Sequence, residues 1–313
     1  MDARVRGILE RQGYGLVGEH SAVKLCHWLR QKLVRGRPCY KETFYGIESH
    51  RCLQMTPWLG CNQGCLFCWR YPGDDAAAPE PMDAAGLLED AIEAQRRLVS
   101  GYRGVESVED GMWREARDPD QMAISLAGEP TMYPHLGDLV EAARARGMTT
   151  FLVSNGTLPE RLAAIDPLPT QVYISVDSPN EEVYGRLCRP SSGALWGRLQ
   201  DGLTVLRDLG TRTVVRHTLV NGHNMEDVDG YARQVTLAEP DYIEAKGYVF
   251  VGHSRQVLSI DCMPSIGQVR AFAETLAERT GYVVTAERAD SRVVLLTKDG
   301  RLPREANPVR VSS

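Results

Sequence analysis

From residue 51 to residue 281 the chain alternates short apolar stretches with helical ones, and no other feature restricts its fold so strongly. RCLQMTP (51–57), QMAISLAG (121–128), TTFLVSNG (149–156), QVYISVDS (171–178), RTVVRHTLV (212–220) and YIEAKGYVF (242–250) read as strands. Between and after them lie AAGLLEDAIEAQRRLVSGY (84–102), HLGDLVEAARARG (135–147), the short LPERLAAI, ALWGRLQDGLTVLRDLG (194–210), a stretch at roughly 225–238 and IGQVRAFAETLAERTG (266–281), all read as helical. Such alternation is the pattern of a parallel sheet built from βαβ units. Six strands are too few for a closed eight-stranded barrel. The expected fold is α/β: an open sheet or a partial (β/α)6 barrel over 51–281, with an N-terminal extension (1–50) and a C-terminal β extension (282–313). In such folds the loops at the carboxyl ends of the strands carry function. Polar segments fall there: CNQGC after the first strand, then AGEP, SNGT, SVDSP and RHTLVNGH.

The segment CNQGCLFCW (61–69) sets Cys61, Cys65 and Cys68 at a spacing that packing does not require. Soft thiolates crowded on one short segment point to a metal. Structural zinc takes four ligands, usually as two pairs, and no second such group follows downstream. A four-iron cluster takes one thiolate per iron, so three cysteines leave one iron open to an outside ligand. Cys26, Cys39 and Cys52 stand in equal steps of thirteen, an interval that neither helix nor strand geometry demands. Two readings stay open: a second cluster on these three, again with one uncommitted iron, or Cys52 as a fourth ligand of the first cluster. Cys188 and Cys262 have no partners in either pattern and read as packing residues.

Composition enters through compartment and charge. No apolar run approaches the roughly 20 residues that span a bilayer, and the N-terminus has no apolar signal core. A cytoplasmic, monomeric chain with reduced thiols and no membrane contact is expected, with metal binding favoured over disulfides. The net charge of −5 argues against indiscriminate coating of nucleic acid. Residues 1–51, however, hold ten Lys/Arg against five Asp/Glu, compatible with a local phosphate-binding surface. Only five residues are lysine (24, 32, 41, 246 and 298), so each merits attention.

With Phe67 just before its third cysteine, the C-x3-C-x2-C loop resembles that of the radical S-adenosylmethionine superfamily. The resemblance implies that the open iron binds the amino and carboxylate groups of S-adenosylmethionine, and that the reduced cluster cleaves it to methionine and a 5′-deoxyadenosyl radical. AGEP (Ala127, Gly128, Glu129, Pro130) resembles the superfamily's GGEP-like motif, in which backbone carbonyls and the acidic residue receive the methionine ammonium group. Ala127 departs from the pattern and is tolerable if only the backbone is used. Ser154 and Asn155 of SNG, with Ser175 and Asp177 of SVD, match positions that contact ribose and carboxylate.

The stretches CYKETFYGIESHRCLQMTPWLGCNQGCLFCWR (39–70), SLAGEPTMYP (125–134), VSNGT (153–157), YISVDSP (173–179) and EAKGYVFVGHSR (244–255) resemble, more narrowly, the archaeal 4-demethylwyosine synthases of the TYW1/Taw1 type. The likeness covers nearly the whole chain. It implies a lyase of wyosine and wybutosine biosynthesis that converts N1-methylguanosine 37 of phenylalanine tRNA, with pyruvate, to 4-demethylwyosine. The radical would take hydrogen from the N1-methyl group, and the resulting carbon radical would attack pyruvate, whose carboxyl carbon is lost. It also implies two [4Fe-4S] clusters, the second on Cys26, Cys39 and Cys52 holding pyruvate. Eukaryotic relatives carry a flavodoxin-like domain; here an external electron donor is expected.

Lys41, two residues after Cys39, is the candidate for a Schiff base with the keto acid or a pairing with its carboxylate; the plain alternative is a surface lysine paired with Glu42. Lys246 is either a phosphate or substrate contact or a solvated strand end. His253 and Arg255 are candidates to meet RNA, and Tyr45 and Trp69 to stack on a splayed base, unless they are core aromatics. Two rivals remain: another auxiliary-cluster radical enzyme acting on a small molecule or peptide, and an RNA-binding iron–sulfur protein without turnover. The AGEP and SNG loops count against the second.

Overall fold

A computed structural model describes residues 3–70, 79–306 and 309. Its centre is one ten-stranded sheet whose spatial order follows the chain, except that the last two strands exchange places. The strands are β1 (Gly15–Val17), β2 (Ser21–Val23), β3 (Cys52–Thr56), β4 (Gln121–Ile124), β5 (Thr149–Ser154), β6 (Gln171–Ser175), β7 (Arg212–Leu219), β8 (Tyr242–Gly247), β9 (Val283–Arg288) and β10 (Val293–Thr297). β3 to β8 are parallel, each reached by a helical crossover. The β1–β2 hairpin lies antiparallel against β3, and β10 joins β8 antiparallel with β9 outermost. The six expected parallel strands are therefore present, in a partial barrel of the expected class. Positions 307, 308 and 310–313 of the expected C-terminal extension lie outside the described residues.

β4 to β8 are buried almost throughout, as strands covered on both faces must be. Because side chains alternate across a strand, the two faces hold different cores. Leu152, Val172, Ile174, Val215 and Ile243 face outward and pack under helices through residues such as Leu87, Leu139, Leu203 and Leu276. Phe151, Tyr173, Val214 and Tyr242 face inward. There they meet a six-residue helix, Tyr40–Tyr45, which plugs the lumen with Tyr40, Phe44 and Tyr45. The Tyr45 ring touches Phe151, Tyr173 and Tyr242, with centroids at 5.8, 6.5 and 5.8 Å, so the sheet curls around the plug from β5 to β8.

The helices have ordinary causes. Asp83 caps Ala84–Ser100 by accepting from the Gly86 amide at 2.9 Å. Ser265 and Gln268 form a capping box at the start of Ile266–Thr280, and Gly281 ends it at φ 75°. Two short helices, Asp110–Ala116 and Glu181–Cys188, were not expected from periodicity. No helix among the described residues is long and apolar enough to cross a membrane.

Candidate active site

The loop that leaves β3 is held from three sides. Gly64 donates to the carbonyls of Cys188 and Arg189 at 3.1 and 3.0 Å, and Leu66 donates to Leu187 at 2.9 Å. The Glu129 amide donates to Gly60 at 2.8 Å, and the His253 amide to Trp69 at 2.9 Å. Gly128, at φ 70°, packs so tightly on this loop that a Cβ would sit 2.0 Å from the Trp58 carbonyl oxygen. Only glycine fits there. Ala127, by contrast, presents its carbonyl oxygen to the Thr56 hydroxyl at 2.5 Å, so its contact is made by backbone.

Glu129 is 1 % exposed and ties two loops together. One oxygen accepts from the Thr131 amide (3.0 Å) and hydroxyl (2.5 Å) and from the Ser154 hydroxyl (2.8 Å); the other accepts from the Asn155 amide at 2.7 Å. Burial raises its pKa, and these donors oppose the rise. Asn155 reaches back to the cysteine loop, donating to the Asn62 side chain at 2.8 Å. Asp177 accepts from the Thr218 amide at 2.6 Å, and burial pushes its carboxyl up to about 6.

These loops enclose a cavity of about 350 Å³ at the carboxyl ends of the strands, within the size range of small-molecule sites. Cys61, Cys65, Cys68, Phe67, Ala127, Gly128, Glu129, Pro130, Ser154, Asn155, Ser175 and Asp177 all line it. So do Trp69 and Lys246. Sequence reasoning missed Arg70, Arg216 and Thr218, which line it as well.

Arg216 begins the cavity floor. Its Nε donates to Glu244 Oε2 at 2.9 Å and its Nη2 to the Tyr40 hydroxyl at 3.0 Å. Glu244, fully buried, also accepts from Tyr40 (3.1 Å) and Tyr45 (2.7 Å). Burial alone would raise its carboxyl, but Arg216, Lys41 and the Tyr45 hydroxyl hold it below the usual range. Lys246 donates to the Ser291 carbonyl at 3.3 Å and lies 4.8 Å from the Tyr40 ring centroid. It is partly buried, not a solvated strand end; burial, then Arg216, pulls its ammonium down to about 8.

Beneath this floor lie the other thiols. Cys39 caps the plug helix, its sulfur accepting from the Lys41 amide at 3.5 Å, and Cys52 packs beside it against the lumen cluster. Cys26 directly precedes the helix His27–Arg35. Burial and then the neighbouring Cys26 push Cys39 up to about 12 and raise Cys52 as well, so the three thiols share one environment. Lys41 is 8 % exposed, with its ammonium 5.1 Å from the Phe151 centroid and 4.9 Å from Tyr173. Burial, then Arg216, lowers its pKa. It is not a surface lysine paired with Glu42: that carboxylate binds Lys32 at 2.7 Å and Ser49.

Other expectations change. Tyr45 is fully buried, its hydroxyl committed to Glu244, so no base stacks on it. Trp69 already stacks on Tyr14 (5.9 Å, 22°), with Lys24 over both rings. Arg255 is exposed and covers the Phe250 ring at 5.4 Å. Cys188 is buried behind the cavity, and its thiol, ahead of burial itself, raises Cys65.

Among the described residues no three Cys, His, Asp or Glu are gathered closely enough to hold a single metal ion. A four-iron cube holds its thiolates further apart than one ion does. The free thiols of Cys61, Cys65 and Cys68 on one cavity wall suit that larger group.

A family model described as the radical SAM superfamily matches residues 55–235, and one described as wyosine base formation matches 237–298. A tRNA 4-demethylwyosine synthase of Pyrococcus horikoshii is 48% identical over 309 residues, 96% of this chain and 90% of that protein. A solved structure of TYW1 with a lysine–pyruvate adduct bound superposes with a TM-score of 0.89 at 35% identity, covering 96% of this chain and 97% of that one. An archaeal TYW1 crystal structure gives 0.81 at 32% identity, covering 96% and 98%. Radical SAM membership brings S-adenosylmethionine and one [4Fe-4S] cluster as cofactors. The chain belongs to the S-adenosylmethionine-dependent tRNA 4-demethylwyosine synthases.

Proposed function

We propose that the chain acts on N1-methylguanosine 37 of phenylalanine tRNA and condenses it with pyruvate. Cys61, Cys65 and Cys68 hold the first cluster, with the AGEP, SNG and SVD loops around S-adenosylmethionine. Together these groups supply a 5′-deoxyadenosyl radical when the cluster is reduced. Cys26, Cys39 and Cys52 hold a second cluster, and an external donor supplies electrons.

The burial of Lys41 carries the reading. An amine held over two aromatic rings, whose pKa burial and then Arg216 draw below the ordinary lysine range, keeps more of the free-amine form that attacks a ketone than a surface lysine does. Its nitrogen attacks the pyruvate ketone, the carbonyl oxygen leaves as water, and a C=N bond remains. Lys246 adds positive charge beside the Arg216–Glu244 ion pair, which suits a carboxylate substrate. The relative solved with a lysine–pyruvate adduct supports the same chemistry. The methylated base enters from the cavity mouth, extruded from its stacked loop.

The test uses anaerobically reconstituted protein with dithionite, S-adenosylmethionine and tRNA bearing N1-methylguanosine, with and without pyruvate. Nucleoside masses should show a tricyclic product only with pyruvate. Borohydride should fix pyruvate on the peptide containing Lys41 and not in Lys41→Ala. Product formed without pyruvate, or an adduct on another lysine, would overturn the reading.

A further inference from the structure

Between β8 and the helix Ile266–Thr280 the chain crosses the cavity rim and exposes apolar side chains there. Val249, Val251, Val257 and Ile260 are 39, 44, 45 and 58 % exposed. Val249 and Val251 line the cavity mouth, and the Arg255 guanidinium lies over the Phe250 ring beside them, 5.4 Å from its centroid. This exposure is not slack. Gly252, at φ 63°, sits where a Cβ would come 2.1 Å from the Trp69 carbonyl oxygen. Ser254 donates to the Val251 carbonyl at 2.7 Å and accepts from the Tyr248 hydroxyl at 2.8 Å. Leu258 anchors the far end in a small core with Leu187 and Val220. The segment is thus a fixed ledge with an unpartnered apolar face.

Three observations select its occupant. The ledge continues the rim of the cavity that a base must enter. It belongs to the part matched by the wyosine-base model, outside the part shared with the radical superfamily. From residue 245 to residue 260 the sequence has no carboxylate, but it has Lys246, His253 and Arg255, although the chain as a whole carries −5. An aliphatic surface whose own residues carry no acid, with Asp261 just beyond its end and an arginine over an aromatic ring, suits unstacked bases and phosphates of a single-stranded RNA loop.

We infer that the ledge 249–260 is where the anticodon loop rests: the bases beside the extruded one lie on the valines, and Arg255 meets the backbone. This rests on the tRNA reading above. The experiment measures the affinity of the reconstituted holoenzyme for tRNA carrying N1-methylguanosine across a salt series. Val257→Asp and Ile260→Asp should each weaken binding at least about tenfold. Arg255→Ala should weaken it less and reduce the salt slope by about 1. Val257→Leu should bind as wild type, and iron content and melting temperature report folding. Wild-type affinity in both aspartate variants would overturn the ledge and leave the tRNA reading intact. Reduction by a protein donor that is impaired while tRNA binding is unchanged would assign the ledge to a protein instead. A wild type that does not prefer tRNA over unrelated RNA would sink the underlying reading itself.

Discussion

Lys246 shows how a single position joins the rim to the lumen. It lines the cavity and carries an ammonium that burial, then Arg216, has drawn down to about 8. The unfolded chain keeps its proton to about 10.5, so between pH 8 and 10.5 the unfolded state binds more protons. Stability from this group should therefore rise with pH across that window and fall away as pH drops through 8. In Lys246→Met that part of the slope should vanish, as measured by melting temperature from pH 7 to 10.5; an unchanged slope would contradict it. Lys246 was legible as a candidate in sequence, but Arg216 and Glu244 were not. The clue was there: Tyr173 and Ser175, Val214, Arg216 and Thr218, Tyr242, Glu244 and Lys246 are spaced by two along strands read only as apolar runs. Period-two polarity inside a buried strand marks a lumen face.

At the scale of elements, the plug helix Tyr40–Tyr45 decides what the lumen can do. Six residues are too few for periodicity to reveal, and the burial that stabilises the helix comes from a sheet over a hundred residues downstream. The same shortness hid Asp110–Ala116 and Glu181–Cys188. The long strands and helices were readable because each is apolar on a face that one neighbour covers. Phe44→Ala should cost about 3–5 kcal/mol and also lower the borohydride-trapped yield at Lys41, since Phe44 packs against Tyr40 and Tyr45 beside it. Leu139→Ala, equally buried but under the outer helices, should cost stability and leave the trapped yield unchanged. Equal yields in the two variants would show that the plug does not shape the site.

At the scale of the molecule, two groups of three thiols sit on different levels of one barrel. Cys61, Cys65 and Cys68 crown the strands, while Cys39 and Cys52 lie against the lumen core beneath. Replacing Cys26, Cys39 and Cys52 together by serine should halve the iron content and leave reductive cleavage of S-adenosylmethionine in place. Complete loss of iron would mean instead that Cys52 serves the first cluster. The cavity thiols were plain in sequence from spacing alone. From spacing alone the lower group stayed open between a second cluster and a fourth ligand on Cys52, because regular steps of thirteen say nothing about proximity in space; the family resemblance implied the former.

One strand joins the two levels. β3 starts at Cys52 and ends at Thr56 before the loop of Cys61, and its four residue steps span about 13 Å. It acts as a gauge block. One residue added to β3 would turn its following side chains to the opposite face and lift one sulfur group relative to the other. Natural changes in chain length should therefore collect in the crossovers and at the two termini, and the count of residues from 52 to 61 should stay constant from one organism to the next.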